Sequence, residues 1–98
     1  MLFPTKLVQS SGNIILNICD PELLDKTVKD DKVEIKIKSD YYLEKMRDIQ
    51  EIKELMENST SINLVGEKSI SLAKENGFAT EKGTRVIEGI PFLLIFKM

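Results

Sequence analysis

Between Lys32 and Lys38 the chain alternates without a fault. Val33, Ile35 and Ile37 fall on one side, and Lys32, Glu34, Lys36 and Lys38 fall on the other. A period of two is the signature of a strand with one buried and one wet face. A half-buried strand needs an apolar layer behind it, which demands a packed architecture of at least two layers.

The flanking segments supply the other elements. Phe3 to Gln9 and Ile14 to Cys19 read as strands either side of a Ser10-Ser11-Gly12-Asn13 turn, forming an antiparallel hairpin. Asp20-Pro21-Glu22 starts a short helix, with Asp at the N-cap, Pro at the first position and an acid in the first turn. Lys29-Asp30-Asp31 is a turn, and Ser39-Asp40 ends the alternating strand. Met46, Ile49, Ile52 and Met56 recur at helical spacing, which predicts a helix over 44–58 with an acidic wet face. Within that helix Arg47 would pair with Glu51 at i,i+4.

Ile62 to Val65 is a short strand, and Gly66 turns it into a helix from Glu67 to Asn76, with Gly77 closing its end. Thr80 to Thr84 is a polar loop. Arg85 to Glu88 and Pro91 to Lys97 are two last strands joined at Gly89, with Pro91 favouring an edge or a bulge. The expected fold is one α+β domain over 1–98. It is a two-layer sandwich of a mostly antiparallel or mixed five- to six-stranded sheet. Two longer helices cover one face, and a short helix follows the second strand.

The 98 residues are 42% hydrophobic and 31% charged, which fits a packed domain and excludes disorder. The chain has no histidine and no tryptophan, and its only cysteine is Cys19. Without histidine there is no Ser-His-Asp or Cys-His nucleophile, and no zinc site of the common kinds. No catalytic residue, metal ligand set or cofactor is expected. One cysteine makes no internal disulfide, and its place at the end of an apolar strand favours a small buried hydrophobe over a reactive thiol. Met1 to Ser10 carries Pro4 and Lys6 where a signal peptide needs an unbroken apolar stretch, and no apolar run reaches the ~20 residues of a membrane span, so the expected location is the cytoplasm. The formal charge of -2 argues against a strongly basic nucleic-acid binder but allows a local basic patch.

Two surfaces carry candidate function. The first is the strand-glycine-helix segment Asn63, Gly66, Glu67, Lys68, Ser69. Free amides at a helix N-terminus attract anions, and Lys68 and Ser69 would add a cation and a hydroxyl. One glycine falls short of a phosphate-binding loop, so the same segment also reads as a tight turn with Glu67 complementing the helix dipole. The second is the wet side of the alternating strand, where Lys32, Glu34, Lys36 and Lys38 would project in a row ~7 Å apart and the three lysines could follow a phosphate backbone. Lysines on a strand edge also serve simply to block aggregation. Tyr41 and Tyr42 lie just beyond, and because consecutive side chains diverge, one of them is left to stack on a base, pack on a partner or cover the sheet.

Three stretches resemble an archaeal family of small proteins known as domain of unknown function 424. They are Cys19-Asp20-Pro21-Glu22-Leu23-Leu24-Asp25-Lys26-Thr27, then Asn63-Leu64-Val65-Gly66-Glu67 with Leu72-Ala73 and Asn76-Gly77, then Arg85-Val86-Ile87-x-Gly89-Ile90-Pro91 before an apolar final strand. The resemblance runs over the whole chain in order and departs at Asp25, where the family pattern has glycine. It implies an α+β sandwich in an archaeal cytoplasm and no particular activity.

A chain this poor in reactive groups is expected to act by contact. The leading expectation is a non-catalytic binding module of the archaeal translation apparatus, touching RNA or a ribosomal or translation protein through the Lys32–Lys38 face; the translation link is an analogy. The alternative is a small-ligand or phosphate-binding protein, with room for enzyme activity, using the Gly66 turn. A homo-oligomer through a sheet edge is a third expectation.

Overall fold

The computed structural model describes residues 1–78 and 83–97. Strands β1 (Leu2–Ser10) and β2 (Asn13–Cys19) form the expected hairpin. Ser10 pairs with Asn13, so the loop is Ser11-Gly12, with φ of 50° and 83°. Two successive positive φ values make a type I′ turn, whose twist suits the flanking strands. Glu88-Gly89 repeats the device, with φ of 50° and 79°, between β7 (Arg85–Ile87) and β8 (Ile90–Phe96).

With β5 (Lys45–Asp48) and β6 (Ser61–Val65) these strands build one six-stranded sheet in the order β5-β1-β2-β6-β8-β7. The β2–β6 pair is parallel and the other pairs are antiparallel. One face is covered by two helices, α2 (Ile49–Asn58) and α3 (Glu67–Glu75). Ile52 and Met56 of α2 and Ile70, Leu72 and Ala73 of α3 pack with Leu16, Ile18, Ile62, Leu64 and Leu93 of the sheet. Lys97 Nζ donates to the carbonyls of Met56 (2.6 Å) and Glu57 (2.8 Å), which ties the end of β8 to the C-terminus of α2.

The predicted 44–58 helix is shorter than expected at its start. Lys45–Asp48 is an edge strand instead, paired with β1 through Phe3↔Arg47. Asp48 then caps α2 by accepting from Glu51 N at 2.9 Å. The local helical spacing of Met46 lost to an open sheet edge beside it, and Met46 remains exposed. Arg47 accordingly pairs not with Glu51 but with Glu44 (3.4 Å), and donates to Thr5 Oγ1 at 2.7 Å.

The alternating strand also differs from expectation. It is β4 (Glu34–Lys36), and it pairs with β3 (Thr27–Lys29) in a separate two-stranded ribbon laid over the second face of the main sheet. The predicted facing is kept. Ile37 is buried and Val28, Val33 and Ile35 pack with it against Cys19, Val65, Ile87 and Phe92. The ribbon is short because Asp25, at φ 65°, turns its partner strand, while Asp25 N and Lys26 O still bond to Ile37 at 2.6 and 2.8 Å. At the other end Asp30 Oδ1 accepts the amides of Lys32 and Val33, both at 2.8 Å. After Lys38 the chain forms one helical turn, α1 (Ser39–Tyr42), where a simple lead-in was expected.

Pro91 sits in β8, which is flanked by β6 and β7 and is no edge strand. Opposite Val86, one step from the tight turn, it holds a position that needs no N–H toward β7, and on its other side β6 has already ended at Val65. The predicted 80–84 loop lies outside the described residues except for Gly83 and Thr84.

Candidate functional site

The ends of the parallel strands β2 and β6 lie side by side, a place where α/β sheets commonly hold ligands. Here that place is filled from within. Asp20 follows β2 and does not cap its own 3₁₀ turn (Pro21–Leu23). Its carboxylate crosses to the start of α3, accepting from Lys68 N (3.0 Å), Ser69 N (2.7 Å) and Ser69 Oγ (2.8 Å). The helix N-terminus therefore already holds an anion, and that anion is buried.

Gly66 makes this possible. Its backbone sits at φ 106°, ψ 157°, a region that is in practice glycine's alone. A Cβ there would overlap the Asp20 carboxyl group, with Oδ1 at 2.7 Å. Lys68 is also engaged, through Glu22 at 3.1 Å. Glu22 is held below the usual carboxylate range by its own backbone amide and by the Lys68 ammonium. A hollow of about 270 Å³ remains beside Gly66, Gly89 and Pro91, bordered by the acids Asp20, Glu22 and Glu67. Cys19, one residue before Asp20, is pushed up to about 12 by burial and then by the charges of Asp20, Glu22 and Asp25. Its thiol stays protonated and inert near neutral pH.

Asn63 does not join this cluster. The strand alternation turns it to the ribbon side, in register with Asn17. Asn63 Nδ2 donates to Asn17 Oδ1 at 2.8 Å, and Asn17 Nδ2 donates to the Tyr41 carbonyl at 3.0 Å. So the structure separates Asn63 from Lys68 and Ser69 and brings it to the two tyrosines.

Lys32, Lys36 and Lys38 are all exposed on the ribbon side. They do not form a straight row, because Lys32 lies in the turn and Lys38 lies beyond β4. Lys32 and Lys36 form no ion pair with a described residue. The Lys38 ammonium rests 5.7 Å from the centroid of the Tyr41 ring, and Tyr41 is 57% exposed. Tyr42 diverges inward, packing with the Cys19 and Val65 cluster, and burial raises its hydroxyl pKa.

Beside α1 and the ribbon the sheet lies open. A recess of about 220 Å³ there is bounded by Tyr42, Asn63, Arg85, Phe92 and Leu94. Leu94 is 48% exposed and Phe96 73% exposed. Sequence reasoning missed Arg85, Phe92, Leu94 and Phe96. The period of two in Phe92, Leu94 and Phe96 was the available signal; the nearly unbroken apolar run of the final strand obscured it. It also missed Asp20's role, because its position before Pro21 suggested a nearer helix to cap.

Among the described residues no group of three or more acidic or cysteine side chains is placed to hold a metal ion, and no helix is long and apolar enough to cross a membrane.

Residues 8–98 match the family described as Protein of unknown function (DUF424). No curated protein matches. A solved structure described as an uncharacterized conserved protein from Methanopyrus kandleri is 20% identical, with a TM-score of 0.80 over 100% of this chain and 95% of that one. The likeness is one of fold.

Proposed function

The chain belongs to the DUF424 family of proteins of unknown function, and from that premise we propose that it is a non-catalytic RNA-binding accessory module of the archaeal translation apparatus, working in the cytoplasm. The observation that carries this is the pairing of unneutralised cations with an exposed aromatic on one side of the molecule. Lys32 and Lys36 stand exposed without acidic partners among the described residues, and Lys38 lies over the outward-facing Tyr41 ring. Lysines supply phosphate contacts and an exposed tyrosine supplies a stacking surface, which is the combination single-stranded RNA needs. Residues 26–38 carry five lysines against three acids, and α2 carries Glu51, Glu54 and Glu57 against Lys53.

The phosphate-binding alternative at Gly66 stands second. Asp20 occupies the amides that a phosphate would use, and Glu22 occupies Lys68.

The test is fluorescence anisotropy with a labelled single-stranded RNA over a salt series. Each phosphate contact in a single strand contributes about 0.7 to the slope of log affinity against log salt. Neutralising Lys32, Lys36 and Lys38 together as K32Q/K36Q/K38Q should flatten that slope by about 2. An unchanged slope, or no RNA binding by the parent protein at low salt, refutes the proposal. The translation link is tested by sequencing RNA crosslinked to the protein in archaeal cells, where ribosomal or transfer RNA is the expected yield. Enrichment of neither would remove it.

A further inference from the structure

We propose that the open part of the sheet beside the ribbon is a platform for unstacked RNA bases, with one base seated in the Tyr42–Asn63–Phe92 recess. The inference rests on the RNA-binding reading and adds to it where the bases go.

Four observations converge on this patch. First, its surface is apolar and bare: Leu94 is 48% and Phe96 73% exposed, on the strand that also offers Phe92. Flat apolar and aromatic faces on a sheet stack bases without regard to sequence. Second, the recess of about 220 Å³ is smaller than the ~300–1,000 Å³ of pockets that enclose whole small ligands. It suits one planar ring.

Third, the recess contains a positioned amide. Asn63 is fixed by its bond to Asn17, which is fixed in turn by the Tyr41 carbonyl. Asn63 Oδ1 makes no hydrogen bond to a described residue, so the side chain has an acceptor and a remaining donor hydrogen to offer. That is the complement of a base edge. Fourth, the rim carries a cation. Arg85 lines the recess, is exposed and has no ion pair among the described residues. It stands near enough to Asp30 to be one cause of that carboxyl's lowered pKa, after the amides of Lys32 and Val33. Asp30 is the Asx residue of the ribbon turn, so Arg85 links recess and ribbon.

A second copy of this chain would also cover an apolar face, but two copies would bring the same cations together. Lys32, Lys36 and Arg85, without ion pairs among the described residues, favour a polyanion instead.

The experiment compares binding of A12, U12 and a 12-base-pair RNA duplex by the parent protein, F96A, N63A and K32Q/K36Q/K38Q, with circular dichroism confirming each fold. The parent should bind the single strands at least tenfold more tightly than the duplex. F96A should lose about tenfold on both single strands and little on the duplex. N63A should bring A12 and U12 to within twofold of each other, from a larger parent difference. The lysine variant should weaken all three RNAs. If single strands and duplex bind alike, or if F96A and N63A leave binding unchanged while the lysine variant abolishes it, the platform is refuted and RNA contact through the ribbon survives. If no RNA binds at all, both fall. A dimer in sedimentation that F96A dissolves would assign the patch to a second copy and overturn the inference.

Discussion

Replacing Gly66 with alanine should be far more costly than a single methyl group implies. The backbone at φ 106°, ψ 157° is strained for any L-residue, by about 1–3 kcal/mol. The new Cβ would also strike the Asp20 carboxyl group and push it off the α3 amides. Losing an N-cap costs about 0.5–2 kcal/mol. The total is about 2–5 kcal/mol, a large part of the ~5–15 kcal/mol that holds a domain together. In an Asp20→Ala background the cap is already gone and its carboxyl atoms are absent, so Gly66→Ala should then cost only the backbone strain. The two substitutions should be non-additive by about 1–2 kcal/mol. Urea unfolding of the four proteins measures this. With a slope of ~1.5 kcal/mol/M, a loss of about 4 kcal/mol lowers the midpoint by ~2.7 M. Costs that simply add would refute the claim that Gly66 exists to admit Asp20.

Asp25 stands at φ 65°, where glycine is at ease, and its carboxylate accepts from Ser39 N (3.2 Å) and Ser39 Oγ (2.9 Å). Asp25→Gly should therefore leave thermal stability within about 1 kcal/mol, because relief of strain offsets the lost bonds, whereas Asp25→Ala should cost about 1–2 kcal/mol more; equal stabilities would contradict this. Cys19 has its thiol pKa raised to about 12 in the fold. The fold favours the protonated thiol, so its contribution is full below the ordinary thiol range and declines as pH rises toward 12. The native protein should accordingly resist a thiol reagent at pH 8 and react fully in denaturant; rapid native labelling would show the site to be open.

The parts of the fold legible in the sequence were those where local pattern and tertiary environment agree. The hairpins at Gly12 and Gly89 and the β6–Gly66–α3 unit are of this kind, since turn chemistry and periodicity speak together there. Lys45–Asp48 was misjudged because its pairing with β1 is a contact about forty residues away that no local window contains. Asp25 has a positive φ, a conformation aspartate tolerates better than most side-chain-bearing residues, and no local periodicity announces it. Asp20 shows the same limit. Its position before Pro21 is a local cap signal, yet the stronger demand came from the amides of Lys68 and Ser69, across the parallel strand pair. The segregation of Asn63 from Lys68 followed from strand parity alone, whereas its meeting with Tyr42 depended on how α1 folds over the sheet.

The central claim is that this protein meets RNA with its ribbon side. Ultraviolet crosslinking to a uridine-rich single strand, followed by mass spectrometry of the adducts, reads that contact directly. Nucleotide adducts should fall on the peptides holding Tyr41, Tyr42, Phe92 and Phe96. Adducts confined to α2 and α3, or none above an unrelated acidic protein, would contradict it.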